Sequence, residues 1–333
     1  MTELEKLREF ADATDVDEFA PESTDTFTTT EEETEVPTLE RSEGGSEAIE
    51  QQRVVDVTSS DPAELDHYLD GRQRTFIAGY IEDRRHDAFL PIHLHHSGAV
   101  TVTADRDLHD GPRTWLKILV PKIDRLPPRM RRRLKNGDME VIETLEGRGP
   151  ENDYQRLRKI GVERSSNHRD LLEQELVRDH GEETLIAKDG TIPEPAEFVV
   201  ERNNIVGIVK NHYKRYLDFE DDRVMFNMDV GERTWLFKTE RSGNTLYSCY
   251  LRIRQVAENP RVGVVRVEIH PDREHEIDQI CSRLTDEAYP LQRNIPSWES
   301  QVYPFYVAEK AIDAHMLGRE TVLSSLKGLG VII

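Results

Sequence analysis

Two short apolar runs in the second half of the chain constrain its fold most. The first covers residues 184–188 and ends in Asp189-Gly190, and the second covers residues 205–209 and ends in Lys210. Each run has the length of one buried strand. The segment between them exceeds the dozen or so residues that a crossover between parallel strands needs. The two runs therefore predict parallel strands in an α/β protein.

Weaker patterns predict the rest of a mixed sheet. We expect a short helix from Ser60 or Asp61 through Leu69 and a hairpin that turns at Ser97-Gly98. The remaining expected elements are strands at 74–82, 90–95, 99–104, 114–120, 234–238, 246–254 and 262–269, and helices at 274–287, 303–317 and 320–326. Between the two groups of strands, residues 122–165 are charged and typical of a helical insertion, and a further helix is expected from about Asn167. This alternation of strands and flanking helices favours an α/β class.

The first 50 residues differ in composition from the rest of the chain. They hold 17 acidic and 3 basic residues, and therefore contribute −14 of the formal charge of −21. A segment with so few aromatic side chains cannot bury enough apolar area to offset its ordering entropy. We expect residues 1–55 to form an acidic and mostly disordered tail, with a short helix at 3–10. The folded domain would cover 56–333, and the tail would be either a solvated segment or a partner-binding one.

The charge balance of the remaining chain bears on its environment and partners. It carries −7, and arginine far outnumbers lysine. A mildly acidic body is compatible with nucleic-acid binding if its basic groups are clustered. High acid with little lysine suggests a protein from a salt-loving cell. No run approaches the length of a membrane span, and the first residues lack a signal-peptide pattern, so we expect a cytoplasmic protein. Cys249 and Cys281 are expected to be ordinary reduced thiols.

Three carboxylates are candidates for metal chemistry. Asp189 stands at the expected carboxyl end of a strand, where open α/β sheets place their ligands. Glu173 and Glu175 lie on the helix that leads into this strand. Hard divalent cations prefer such oxygen ligands, and paired metals hydrolyse phosphodiesters by activating water and stabilising the leaving oxygen. The alternatives are a plain Asp-Gly turn and a solvated helix face.

Three separated blocks of sequence resemble the NurA nuclease family. The first spans 184–210 and contains Asp189-Gly190. The second spans 264–271 and reads Val-Val-Arg-Val-Glu-Ile-His-Pro. The third spans 303–320 and contains Tyr303, Ala308-Glu309-Lys310 and His315. The blocks follow the family's order over most of residues 70–330.

This resemblance implies a ribonuclease-H-like mixed sheet and Mn²⁺- or Mg²⁺-dependent DNA cleavage in end processing or double-strand break repair. It also implies a homodimer that docks on a hexameric HerA-type ATPase. By position, Asp189 matches the family's central metal ligand, Glu173 its helical Glu, and Tyr303 its C-terminal Tyr, with Glu175 as a substitute for Glu173.

The chain departs from the family pattern at two places. The family's first strand ends in Asp-Gly-Ser, whereas we place Glu82 and Asp83 at that point, so one of these two acids would supply the ligand. The family's C-terminal His falls at Ala311, which leaves Glu309 or His315 as its substitute. These departures keep a second hypothesis open, in which the chain is a catalytically weakened adaptor that binds DNA or docks on an ATPase. A third is an unrelated acidic α/β protein.

Basic residues supply the candidate DNA contacts. The cluster Arg129, Arg131, Arg132, Arg133 and Lys135 is the best phosphate-binding patch, since arginine contacts to the DNA backbone give affinity without sequence readout. Arg266, Arg164 and Arg169 would add contacts nearer the scissile phosphate. Lys210 would steady the charge that develops there, as a catalytic residue. The alternative is that these are surface residues balanced by the chain's many acids.

Other side chains invite weaker interpretations. His93 and His95 share one strand face and would suit zinc, but a solvent-facing hairpin is the favoured interpretation. His86 and Asp87 follow the expected first strand and would lie near the active site. Trp298 would stack on a base or meet a partner.

Overall fold

The computed structural model describes residues 2–21, 40–41, 48–50, 54–149, 151–192, 203–210, 214–217, 219–241, 244–255, 262–289 and 301–328. Its strands are β1 (Phe19–Pro21), β2 (Glu40–Arg41), β3 (Val54–Asp56), β4 (His67–Asp83), β5 (Ala88–Thr103), β6 (Arg113–Val120), β7 (Val141–Glu143), β8 (Ile186–Asp189), β9 (Ile205–Val209), β10 (Lys214–Arg215), β11 (Glu232–Thr234), β12 (Phe237–Arg241), β13 (Asn244–Arg252) and β14 (Val264–Ile269). Its α-helices are α1 (Glu3–Thr14), α2 (Pro128–Asn136), α3 (Tyr154–Asp179), α4 (Phe219–Phe226), α5 (Ile277–Asp286), α6 (Tyr303–His315) and α7 (Arg319–Gly328). Short 3-10 turns cover Ile123–Arg125 and Pro271–Glu276.

One large mixed sheet organises these elements. Its strand order is β3-β11-β13-β14-β9-β8-β4-β5-β6-β7, with β1 added beside β4 and β12 beside β13. β4, β5 and β6 are antiparallel neighbours, whereas β4, β8 and β9 run parallel. The two apolar runs thus form adjacent parallel strands, as expected. This α/β arrangement of a mixed sheet flanked by helices is compatible with a ribonuclease-H-like fold.

Helices α3 and α6 cover opposite faces of the central strands. Leu69 packs with Leu172 and Leu176 of α3, whereas its neighbour Tyr68 meets the ring of Phe305 in α6, with ring centroids 5.7 Å apart. Side chains alternate between the faces of a strand, so the residues of β4 next to Leu69 and Tyr68 divide between the two helices in the same way. The site described below depends on this division.

The hairpin expected at Ser97-Gly98 is wrong. Ala88–Thr103 is one long strand, and the turn that precedes it lies at 84–87, where Asp87 adopts a φ of 48°. Gly98 has a packing role instead, since a Cβ there would lie 2.8 Å from Cγ2 of Ile312 in α6. The helix expected from Ser60 through Leu69 is also wrong, because β4 already begins at His67.

The N-terminal tail is ordered beyond the short helix that the sequence predicts at 3–10, so the expectation of a mostly disordered tail is wrong for residues 11–21. Thr2 caps α1 through a reciprocal capping box with Glu5, which satisfies the backbone donors of its first turn. Leu7 and Phe10 of this helix are fully buried in the core formed with β4, β5 and β6. The short helix expected at 3–10 is therefore confirmed and extends to Thr14. Residues 22–39, 42–47 and 51–53 lie outside the described residues.

The expected helical insertion at 122–165 is only partly helical. It contains the short helix α2 and then β7, which pairs in parallel with β6 at the sheet edge. The following helix begins at Tyr154, where Asp153 accepts a hydrogen bond from the backbone of Arg156, and not near Asn167. Among the described residues, no helix is long and apolar enough to cross a membrane.

Candidate functional site

Asp70 and Asp189 lie side by side on neighbouring parallel strands. Leu69 of β4 is paired with Lys188 of β8. The next step of this register sets Asp70 beside Asp189, on strands that are about 4.8 Å apart. Both side chains point to the α6 face, because Asp70 alternates with Leu69 along β4 and Asp189 alternates with Lys188 along β8. Asp70 is buried, whereas Asp189 keeps 17% of its side chain exposed where the strand ends.

A lysine, a glutamate and a glutamine complete this side of the site. The Nζ atom of Lys210, just beyond β9, lies 2.5 Å from Oδ2 of Asp189 and 2.6 Å from Oε1 of Gln301. Glu309 approaches from α6 and is close enough to perturb both Asp70 and Lys210. Glu309 also lies 3.1 Å from the guanidinium of Arg72, the next α6-facing residue of β4.

Glu173 reaches the same region from the α3 side. Its carboxylate lies against Gly71, where a Cβ would stand 2.2 Å from Oε1. Lys188 of β8 forms an ion pair with it, with Nζ 2.8 Å from Oε2, and Arg169 lies 3.8 Å from Oε1. The side chain is 3% exposed. Glu173 is therefore the helical acid of the site, whereas Glu175 is more exposed and has no hydrogen bond or ion pair among the described contacts.

The electrostatics of Asp70 show that negative charge is crowded here. Burial and then the charge of Asp189 raise the pKa of Asp70 well above its usual range, with further contributions from Glu173 and Glu309, while Lys210 opposes the shift. Burial by itself would lower the pKa of Lys210, but Asp189 and Asp70 hold it above its ordinary value. The site thus favours a cation, and Lys210 supplies the positive charge next to Asp189.

The donor set fits a hard divalent cation. It consists of carboxylate oxygens from Asp70, Asp189 and Glu173, with Glu309 nearby, and such oxygens are the ligands of Mg²⁺ and Mn²⁺. No three of these acids bring ligand atoms within 4.8 Å of one another. Among the described residues, only a group of three histidines does so. Lys188 and Lys210 hold Glu173 and Asp189 instead, and a bound cation would compete with these lysines.

The expectation that Glu82 or Asp83 supplies the first-strand ligand is wrong. Both lie at the far end of β4, a dozen residues from Asp70 and about 40 Å along the strand. Glu82 pairs with Arg84 at 3.0 Å on the surface. Asp83 is buried, with its carboxylate 2.7 Å from Arg125 and 2.8 Å from His86, so it anchors the hairpin formed by β4, the turn at 84–87 and β5. His86 and Asp87 share this remote end, and their expected place near the site is wrong as well.

Tyr303 and His315 do not join the carboxylates in any contact between described residues. The ring of Tyr303 lies under the guanidinium of Arg106, 4.7 Å away, and stacks on Tyr306. His315 is exposed at the end of α6 and its Nδ1 lies 2.8 Å from the carbonyl oxygen of Ala311. Between the two substitutes considered for the C-terminal His, the structure brings Glu309 to the site and leaves His315 outside.

The candidate DNA contacts divide into buried and exposed groups. Arg266 is 3% exposed, pairs with Glu268 at 2.6 Å and lies over the ring of Tyr216, so its assignment to DNA is wrong. The cluster Arg129, Arg131, Arg132, Arg133 and Lys135 lies on α2, partly exposed. Asp15, at the end of α1, pairs with Arg129 at 3.2 Å and with Arg133 at 3.7 Å. Helix α2 follows the end of β6, and this end lies level with Ile77 of β4 in the sheet. The patch is therefore distant from Asp70.

The histidines of β5 are core residues. His93 packs under Gly161, His95 is hydrogen-bonded to Ser165, and Nε2 of His96 lies 2.8 Å from Oε1 of Glu3. All three are buried, so the favoured interpretation of a solvent-facing hairpin is wrong, and they do not form a metal group. Trp298 lies outside the described residues.

Asp70 is the main residue that sequence reasoning missed. Its signal in the sequence is weak. Leu69-Asp70-Gly71 repeats the Asp-Gly ending of the Asp189 strand, but only part of the apolar run before it. Glu268 was also missed as a positioning residue: its Oε2 accepts from the backbone N–H of Ile192 at 3.0 Å and so holds the turn after Asp189.

Comparison with known proteins adds no family assignment, since the chain matches no protein-family model and no curated protein.

Proposed function

We propose that the chain is a metal-dependent DNA nuclease whose metal ligands are Asp70, Asp189 and Glu173. The observation that carries the proposal is the grouping of these acids, with Glu309, where β8 ends beside the first residues of the parallel strand β4 and beside α3. Closely spaced acids that raise the pKa of Asp70 favour the binding of a divalent metal ion. The resemblance of three sequence blocks to the NurA family supports DNA as the substrate.

The chain's own groups have distinct roles in this proposal. Mn²⁺ or Mg²⁺ would supply activation of water and neutralisation of the leaving oxygen. Asp70 and Asp189 would hold the cation from one sheet face and Glu173 from the other. Lys210, Lys188 and Arg72 would orient the phosphate and balance its charge, with the α2 patch contacting more distant backbone phosphates. Tyr303 and His315 have no part in the chemistry, because their contacts lie elsewhere.

A nuclease assay on linear DNA with Mn²⁺ tests the proposal. Asp70→Asn and Asp189→Asn should each lower the rate by about 100-fold or more, the scale of loss when an electrostatic catalytic group is removed. Asn at position 70 relieves the crowding of negative charge, so the fold should be retained. Glu82→Gln is the matched control, since Glu82 is exposed at the other end of β4. Equal rates for all four proteins would overturn the proposal.

The two lysine pairs favour a second candidate, a catalytically weakened adaptor. Lys188 at 2.8 Å from Glu173 and Lys210 at 2.5 Å from Asp189 occupy positions where a cation would otherwise balance these acids. Such an adaptor would bind DNA without Mn²⁺. Titration of the wild-type chain with Mn²⁺ distinguishes the candidates, since the nuclease requires saturable Mn²⁺ binding that Asp189→Asn weakens.

The proposal extends to partners through the family resemblance alone. A NurA-like chain would form a homodimer and dock on a hexameric HerA-type ATPase that moves DNA toward the site. Sedimentation of the purified chain, alone and mixed with such an ATPase, tests both statements. A monomer that does not co-sediment with the hexamer would contradict them while leaving the nuclease assay unaffected.

A further inference from the structure

Three histidines form a cluster apart from the carboxylates. His67 begins β4, His109 lies in the connection from β5 to β6, and His180 caps the end of α3. One ring nitrogen from each lies within 4.8 Å of the other two. The ring centroids are 4.3, 4.7 and 4.9 Å apart, and the rings are tilted by 44° to 87°, so they do not form a parallel stack.

From this geometry we infer that His67, His109 and His180 form a binding site for Zn²⁺ or a similar imidazole-preferring transition metal ion. Tetrahedral Zn–N bonds of about 2.0–2.1 Å place ligand nitrogens about 3.3 Å apart. The present separations need only small side-chain movements to reach this value. Three neutral imidazoles select such metals over Mn²⁺ and Mg²⁺, which prefer carboxylates, so the site differs in kind from that of Asp70 and Asp189.

An unsatisfied nitrogen supports a ligand role. Nδ1 of His67 is buried and has no hydrogen-bond partner among the described residues, which costs free energy unless a ligand satisfies it. Nε2 of His180 lies 3.3 Å from Oγ1 of Thr101, a contact that orients the ring.

The surroundings favour a cation and leave one position open. Asp110 lies 3.7 Å from Nε2 of His109, and Asp66 and Asp179 each precede a histidine of the cluster along the chain. Negative charge this close favours a bound cation. His109 is 43% exposed, so a fourth ligand can approach from solvent. A metal ion here would tie the end of α3 to the start of β4, the two elements that carry Glu173 and Asp70.

Zinc titration of the full chain, freed of metal and competed with a chromogenic chelator, tests the site. We expect one zinc ion per chain and a loss of affinity of at least about 10-fold in His109→Ala, a substitution in an exposed loop that should leave the fold intact. Thermal unfolding gives a second measurement, since Zn²⁺ should raise the Tm of the wild type more than that of the variant. Substitution with Co²⁺ should give the visible spectrum of a nitrogen-bound cobalt ion in the wild type only.

Two further variants make the result specific. His315→Ala removes an exposed histidine on α6 and should bind zinc like the wild type. Asp70→Asn with Asp189→Asn should also bind zinc like the wild type, which separates this site from the proposed nuclease centre. No zinc binding, or equal binding by the wild type and His109→Ala, would overturn the inference.

Discussion

Oε1 of Glu173 lies 2.2 Å from the point that a Cβ on Gly71 would occupy. A residue with any side chain at position 71 would therefore displace the carboxylate that α3 presents to the site. The Asp70-Gly71 pair has two separable roles, since the Asp supplies an acid on the α6 face and the Gly makes room for another acid on the α3 face. We expect Gly71→Ala to act through Glu173 without touching Asp70.

Gly71→Ala should weaken Mn²⁺ binding and nuclease activity by about 10- to 100-fold, as loss of a ligand's support does elsewhere. Isothermal titration with Mn²⁺ and the linear-DNA assay measure the two effects. Gly149→Ala is the matched control, because nothing lies within 4 Å of a Cβ added there. If Gly71→Ala and Gly149→Ala behave alike, Glu173 is not a ligand.

Lys210→Met should destabilise the metal-free chain and increase its response to Mn²⁺. The substitution removes the cation that lies 2.5 Å from Asp189 and leaves Asp189 and Asp70 unbalanced, at a cost of about 3 kcal/mol or less. Thermal unfolding in a chelator, and then with Mn²⁺, measures this. We expect a larger Mn²⁺-induced rise in Tm for the variant than for the wild type or for Lys135→Met, which changes an exposed lysine. An unchanged response would favour the adaptor.

The sequence predicted the parallel strands well and the first strand of the site poorly. Residues 205–209 form a strand buried on both faces, and such strands show as continuous apolar runs. The start of β4 instead carries His67, Asp70 and Arg72 among its apolar residues, because its side chains line two polar sites. A strand that carries polar site residues in this way loses the periodicity by which strands are recognised. The sequence therefore predicts the first strand at 74–82 and points to Glu82 or Asp83 in place of Asp70.

Two other predictions failed because of contacts between distant parts of the chain. The Ser97-Gly98 pair has the composition of a turn, but Gly98 is needed where α6 packs closest to β5. The sequence predicts the helix at 3–10 but not the burial of Leu7 and Phe10, because the acidic composition of residues 1–50 is typical of a solvated segment. Neither of these long-range contacts leaves a signal in the local sequence, so both follow only from the packed structure.

Arg132→Ala should weaken DNA binding by reducing its electrostatic component. Arg132 is exposed on α2, so its loss should not alter the fold. If it contacts one phosphate, the slope of log affinity against log salt should decrease by about 0.9. Binding to duplex DNA at several salt concentrations measures the slope, and Arg319→Ala, an exposed arginine on α7, should leave it unchanged. A slope that is identical in all three proteins would remove the α2 patch from the DNA-binding surface.

Asp83→Asn should lower stability while leaving Mn²⁺ binding and DNA cleavage unchanged. Burial alone would raise the pKa of Asp83, but hydrogen bonds from Arg125 and His86 hold it below its ordinary value. The stabilisation is therefore present above the unfolded-state pKa and is lost as the pH falls through the lower folded-state value. Loss of the charge-assisted hydrogen bonds should cost about 1.5–3 kcal/mol at neutral pH. Urea unfolding between pH 7 and pH 2 should show the wild type and the variant converging at the acid end. A stability difference that is constant with pH would show that packing, and not the charge of Asp83, anchors the hairpin.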